Sequence, residues 1–240
     1  MPLGISSNII TEPNQILWFN LNTEKQGGLM KAVIFDLDGV LVSTDEYHFQ
    51  AWKQLANEEN IYFDRKINER LRGVSRMDSL EIILERSRIS YRDEEKKTLA
   101  SRKNGYYISN IENLTPNDML PGALVSINRL KEAGKFIAIG SSSKNTLLIL
   151  EKLGIKEYFD AIVDGNQIKN SKPDPEVFLL GAQKMNVKPE ECLVVEDAAS
   201  GVEAGKSAGM KVLGVGSAKN HPLADYRANS LAGIDILKFV

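Results

Sequence analysis

Five short apolar runs punctuate the chain, at residues 31–35 (KAVIF), 135–140 (KFIAIG), 160–164 (DAIVD), 192–197 (CLVVED) and 210–216 (MKVLGVG). They are nearly continuous rather than alternating, which is the composition of parallel strands covered on both faces. Stretches with helical spacing precede each of the later runs, at 121–134, 144–154, 175–186 and 198–209. Glycine or asparagine closes these stretches, and both tolerate the left-handed conformation that ends a helix. The alternation predicts an α/β fold: a doubly wound parallel sheet.

The interval between the first two runs breaks the pattern. Apolar residues recur there at helical spacing: Phe49, Trp52, Leu55 and Ala56, then Leu80, Ile83 and Leu84, then Leu99, Tyr106 and Tyr107. No strand pattern accompanies them, and the segment is too long for a simple crossover. We expect a small α-helical cap domain over 44–114, inserted into a core made of 30–43 and 115–240. The charged run RDEEKK at 92–97 reads as the solvated start of a helix. The tail SLAGIDILKFV (230–240) is left to supply a last strand and helix. Residues 1–29 read as a polar N-terminal extension, non-native or disordered, with one apolar patch at 16–19 and a candidate start at Met30.

Composition narrows the function classes. The 240 residues carry a net charge of −2, with 42% apolar and 26% charged residues, ordinary values for a soluble globular protein. That balance gives no reason to expect nucleic acid or an anionic membrane as a partner. No apolar run reaches the roughly 18 residues that span a bilayer, and the N-terminus lacks the basic region of a signal peptide. The lone Cys192 excludes an intrachain disulfide framework and fits a cytoplasmic location. A monomer is expected.

Ligands of open α/β sheets gather at the carboxyl ends of the strands. Those ends carry Asp36 and Asp38, then Ser141, Ser142 and Ser143, then Glu196 and Asp197, with Lys172 in a loop nearby. In extended chain, residues two apart project to one side, so Asp36 and Asp38 can face one ligand. Gly39 lets the backbone turn away. Two carboxylates repel a phosphate by about 4 kcal/mol each at ~4 Å and an effective dielectric near 20, so a divalent cation belongs between them. Magnesium prefers such oxygen ligands, and Glu196 and Asp197 would add to Asp36 and Asp38. Lys172 can neutralise a transferring phosphoryl group, and Ser141 with nearby backbone N–H groups can cradle its oxygens. An EF-hand is rejected because its glycine and glutamate positions are not met. GSSSKN lacks the P-loop ending, and GVGSAKN lacks the third glycine of a dinucleotide fingerprint.

In order, DLDGVL (36–41), GSSSKN (140–145), KPDP (172–175) and VVEDAASGVEAGKSAGM (194–210) resemble the four motifs of the haloacid-dehalogenase superfamily of phosphotransferases. The resemblance implies that Asp36 is a nucleophile forming an aspartyl-phosphate and that Mg2+ is required. Within the insertion, TDEYHFQAW (44–52), ERLRGVSRMDSL (69–80) and RKNGYY (102–107) resemble the superfamily's hexose-phosphate mutases. That implies interconversion of β-glucose 1-phosphate and glucose 6-phosphate, with β-glucose 1,6-bisphosphate as intermediate and activator. It also implies site roles. Asp38 is the general acid/base, His48 contacts substrate and positions Asp38, and Thr44 lies at the hinge. Arg76 grips a distal phosphate with Ser143, Lys144 and Asn145. Trp52, Arg72, Gly73, Ser79 and Ser142 complete the substrate-binding set. Ser43, Asp45, Arg72 and Ser142 depart from the pattern, where aspartate, alanine, lysine and alanine are expected.

Each residue also has a bland reading. His48 alone is a core histidine, Arg72 and Arg76 are solvated charges, and Trp52 is packing. Two rival functions share the fold: a phosphatase of sugar phosphates or phosphoglycolate, and a silent phosphosugar-binding regulator.

Overall fold

The computed structural model describes residues 30–71 and 74–240. The expectations for residues 1–29, Arg72 and Gly73 lie outside the described residues.

The first apolar run forms β1 (Ala32–Phe35). Four helices follow: α1 (Asp45–Glu58), α2 (Arg65–Asn68), α3 (Arg76–Leu84) and α4 (Asp93–Ile111). The remaining chain alternates: α5 (Ala123–Glu132), β2 (Phe136–Gly140), α6 (Thr146–Lys152), β3 (Ala161–Val163), α7 (Glu176–Lys184), β4 (Cys192–Glu196), α8 (Ala199–Ser207) and β5 (Lys211–Gly214). A two-residue strand, β6 (Tyr226–Arg227), completes the sheet. The tail 230–240 was expected to supply that last strand. It lies upstream instead, and the tail contributes a short 3-10 turn at Ile236–Phe239.

All six strands are parallel, in the order β3-β2-β1-β4-β5-β6. Because side chains alternate across a strand, β1 feeds two separate cores. Val33 and Phe35 face α5 and α6 through Ile127, Leu130, Ile149 and Leu150. Ala32 and Ile34 face α7 and α8 through Val177, Phe178, Ala182 and Val202. This is the doubly wound sheet. Left-handed backbone at Gly134, Gly154, Asn186 and Gly209 ends the turns after α5, α6, α7 and α8.

The insertion after β1 carries helices joined by turns, with no strand among its described residues, and has its own apolar cluster. Trp52, Leu55 and Ala56 of α1 meet Leu80 and Ile83 of α3 and Leu99 of α4. Tyr107 departs from the expected grouping. It is fully buried, but it packs with Ala51 and Ile111 in the cluster that contains Val33 and Phe35. The inner end of α4 is therefore rooted in the sheet's own core. The run at 92–97 is a helix start, with Glu95 accepting from the Arg92 backbone N–H at 2.7 Å.

Gly140 ends β2 where a Cβ would lie 2.8 Å from Phe178 Cδ1, so α7 presses directly on the sheet. Phe178→Ala removes a fully buried ring and should cost about 3–5 kcal/mol of stability. Urea unfolding checks this: the midpoint falls at unchanged slope. A loss below about 1 kcal/mol would mean that α7 collapses onto the sheet and leaves no cavity.

Candidate active site

The sheet reverses direction of growth at β1 and β4, the switch point where ligand crevices form in such folds. Register does the placing. Phe35 pairs with Val195, and Asp36 N–H donates to Val195 O at 3.0 Å, so Asp36 and Glu196 leave the sheet side by side. Carboxylate oxygens of Asp36, Glu196 and Asp197 lie within 4.8 Å of one another, all three residues buried.

Lys172 closes the cluster. Its Nζ donates to Asp36 Oδ1 at 2.6 Å and to Glu196 Oε1 at 2.7 Å, and lies 4.8 Å from the Phe178 ring centroid. Burial alone would lower the Lys172 pKa, but the Asp36 and Glu196 charges outweigh it and hold the ammonium above the usual lysine range. Burial pushes Asp36 well up; Lys172 opposes this, and Glu196 and Asp197 reinforce it. Three buried carboxylates against one ammonium leave excess negative charge, and an all-oxygen donor set suits a hard divalent cation. Two glycines make room for that set. A Cβ on Gly39, whose φ is +79°, would overlap the Asp197 carboxylate, and one on Gly201 would overlap that of Glu196. The residues present fit a magnesium ion.

Asp38 is not part of this cluster. Its carboxylate turns to Thr44, accepting from the backbone N–H at 3.2 Å and from the hydroxyl. Tyr107 Oη donates to Thr44 Oγ1 at 3.1 Å, which directs the threonine proton to Asp38. The expectation that Asp38 joins the metal-facing carboxylates through its side chain thus meets a different geometry, because Thr44 competes for the same oxygen. Burial raises the Asp38 pKa to about 6 against the opposing Thr44 hydrogen bond, in the range useful to an acid/base at neutral pH.

One cavity of about 1170 Å³ joins these groups to the insertion. Asp36, Asp38, Lys172 and Ser141 line it from the sheet side; His48, Trp52, Arg76 and Ser79 line it from the helices. Ser142, Ser143, Lys144 and Asn145 line it too, on the loop after β2. That loop is held by its own hydroxyls. Ser143 N–H donates to Ser141 Oγ and Asn145 N–H to Ser143 Oγ, each at 3.2 Å, while Thr146 Oγ1 donates to Ser143 O at 2.8 Å. Ser142 Oγ is buried with no hydrogen-bond partner among the described residues. Arg76 opens α3, whose N-cap Ser75 accepts from Asp78 N–H at 3.2 Å, and burial lowers its guanidinium pKa.

Lys103 was not among the residues singled out from the sequence. It is buried on α4, its Nζ 2.8 Å from His48 Nδ1 and 4.7–4.8 Å from the ring centroids of Trp52 and Tyr107. Burial, reinforced by Arg76, lowers its pKa to about 7, with Asp38 opposing. Burial and the Lys103 and Arg76 charges also push His48 well below its usual range, so the imidazole is neutral. His48 is also stacked on Tyr107 with centroids 4.0 Å apart. The quoted stretch RKNGYY held a signal, since Lys103 stands four positions before Tyr107 and so shares its helix face.

Comparison with known proteins agrees with this geometry. The family model of haloacid dehalogenase-like hydrolases matches residues 30–209. The chain is 48% identical over 189 residues to β-phosphoglucomutase of Bacillus subtilis, covering 78% of this chain and 84% of the relative. It is 34% identical to a phosphorylated carbohydrates phosphatase of Thermotoga maritima, covering 85% and 93%. The crystal structure of β-phosphoglucomutase from Clostridium difficile superposes with a TM-score of 0.84 at 41% identity, covering 88% of this chain and 96% of that one. The chain belongs to the haloacid dehalogenase-like hydrolase family.

Proposed function

We propose that the protein is a β-phosphoglucomutase, interconverting β-glucose 1-phosphate and β-glucose 6-phosphate through β-glucose 1,6-bisphosphate. The observation that carries the reading is the single cavity shared by the Asp36 cluster and Arg76, in a chain so similar to a bacterial enzyme of that name. Asp36, Glu196 and Asp197 would hold Mg2+, which when bound neutralises the carboxylates and lets an anionic phosphate approach Asp36. A cytoplasmic monomer acting on this small substrate, without nucleic acid or membrane, completes the reading. Among the described residues no helix is long and apolar enough to cross a membrane.

Phosphorylated Asp36 gives its phosphoryl group to the 6-hydroxyl of β-glucose 1-phosphate. The Asp36 O–P bond breaks, the sugar O–P bond forms, and the hydroxyl proton passes to Asp38. The bisphosphate then reorients. Asp36 takes the phosphoryl group from C1, and Asp38 returns the proton to the anomeric oxygen. Lys172 holds Asp36 aligned for attack, His48 and Lys103 line the sugar's path, and Arg76 with Ser143, Lys144 and Asn145 grips the phosphate that is not reacting. A guanidinium suits that task because it bonds two oxygens at once.

The phosphatase reading keeps one supporting observation, the Thermotoga relative with its phosphatase name. A coupled assay with β-glucose 1-phosphate, Mg2+ and trace bisphosphate, following glucose 6-phosphate and inorganic phosphate in parallel, decides between them. More glucose 6-phosphate than phosphate is expected; the reverse would overturn the mutase.

Asp36→Asn keeps the shape but cannot attack phosphorus, so turnover should vanish in that assay. Substantial residual flux would remove Asp36 from the nucleophile's role. Arg76→Ala should lower the ratio of glucose 6-phosphate to phosphate at least roughly tenfold, since the bisphosphate escapes before it reorients. If Arg76 is only a solvated charge, the ratio stays within a few-fold of wild type.

A further inference from the structure

Asn145 joins the loop after β2 to the helical insertion. Its Nδ2 donates to Asn104 Oδ1 on α4 at 2.9 Å. Its backbone N–H is already committed to Ser143 Oγ at 3.2 Å. Asn145 lines the cavity, whereas Asn104 does not.

A carboxamide is two-faced, with a nitrogen that donates two hydrogen bonds and an oxygen that only accepts. A phosphate only accepts. Asn145 therefore helps hold a phosphate when its nitrogen faces the anion and hinders when its oxygen does. An acceptor beside the amide decides which. Asn104 Oδ1 takes one N–H of Asn145 Nδ2 and leaves the second N–H of the same nitrogen for a ligand. A reversed amide would set oxygen against the anion and would require Asn104 to turn its own amide as well, so a bound phosphate and the Asn104 contact together hold the orientation seen here. The contact also spans the two parts of the molecule. Lys103, one residue earlier on the same helix, reaches His48 at 2.8 Å. Docking of α4 thus sets a sugar-facing pair and a phosphate-facing amide together.

We propose that Asn104 is a positioning residue for the distal phosphate, acting through Asn145 and never touching the ligand. The proposal rests on the mutase reading above.

The test is a double-mutant cycle with Asn104→Leu and Asn145→Ala, assayed as mutase with saturating Mg2+ and bisphosphate. Asn104→Leu should raise KM for β-glucose 1-phosphate roughly tenfold, the scale of one hydrogen bond to a charged group. It should change kcat less than about threefold, and the ratio of glucose 6-phosphate to phosphate should fall. In the Asn145→Ala background the same substitution should have no further effect on KM, because the group it orients is gone. Thermal unfolding of each variant separates this from a general loss of structure, and the midpoint should move little at this half-exposed contact. An unchanged KM in Asn104→Leu overturns the proposal, as does an equal effect in both backgrounds. Absence of mutase flux in the wild type would instead overturn the functional reading, and this proposal with it.

Discussion

A single ammonium buried between two carboxylates sets the terms for the rest of this site. Lys172 stands 136 positions from Asp36 and 24 from Glu196, yet it touches both within 2.7 Å. Such a charge is tolerated inside a protein only when its partners stay in place, and losing one typically costs about 3–5 kcal/mol. The triad therefore ties the ends of β1 and β4 to the loop that precedes α7. It also leaves the cluster short of positive charge, since Asp197 adds a third carboxylate. The site is prepared for a cation and, through it, for an anionic substrate.

Backbone geometry performs the placement on which that charge balance depends. Parallel pairing of β1 with both β2 and β4 brings Asp36 beside Glu196 without any loop adjustment. The glycines then decide how close the carboxylates come. Gly39 and Gly201 are backbone positions where an ordinary side chain would displace Asp197 or Glu196. Phe178 links this to the fold's interior, because the ring that fills the gap at Gly140 also lies beneath the Lys172 ammonium. Core packing and site electrostatics therefore share a side chain.

What was legible in the chain follows from the range of the forces involved. Near-continuous apolar runs mark five of the strands, because burial on both faces demands it of each strand alone. The strand-end acids and Lys172 were legible only together: each alone is an ordinary turn or loop residue, but acids, serines and a lysine in ordered motifs converge on one edge of one sheet. β6, only two residues long, carries no such signal and was sought too far along the chain. The larger omissions are contacts between distant segments. Lys103 meets His48 across 55 positions, Tyr107 meets Thr44 across 63, and Asn145 meets Asn104 across 41. Spacing within α4 tells which residues share a face, but it does not tell that Tyr107 enters the sheet's core instead of the insertion's. That outcome depends on how α4 docks, which no local pattern encodes. Asp38 shows the same limit from the other side. Its alternation with Asp36 suggested a shared ligand, and the Thr44 hydroxyl drew the carboxylate away.

The division of labour between sheet and insertion bears on which reaction the fold performs. An aspartyl-phosphate is discharged either by water or by a sugar hydroxyl, and the sheet offers the same nucleophile, lysine and carboxylates to both. The difference must come from whatever holds the hydroxyl in line. Positioning a bound group against its partner is worth an effective concentration of about 10⁵–10⁸ M in well-oriented cases, far above that of water. Such positioning needs contacts remote from the phosphorus; on the proposed reading these come from His48, Arg76 and Lys103, which line the cavity from α1, α3 and α4. The buried His48–Lys103 pair is informative here. Burial holds both groups below their usual pKa ranges, Lys103 at about 7, so on that reading they present a weakened positive charge to a sugar. On the mutase reading, selection between isomerisation and hydrolysis rests on the insertion together with the loop after β2, which line one cavity.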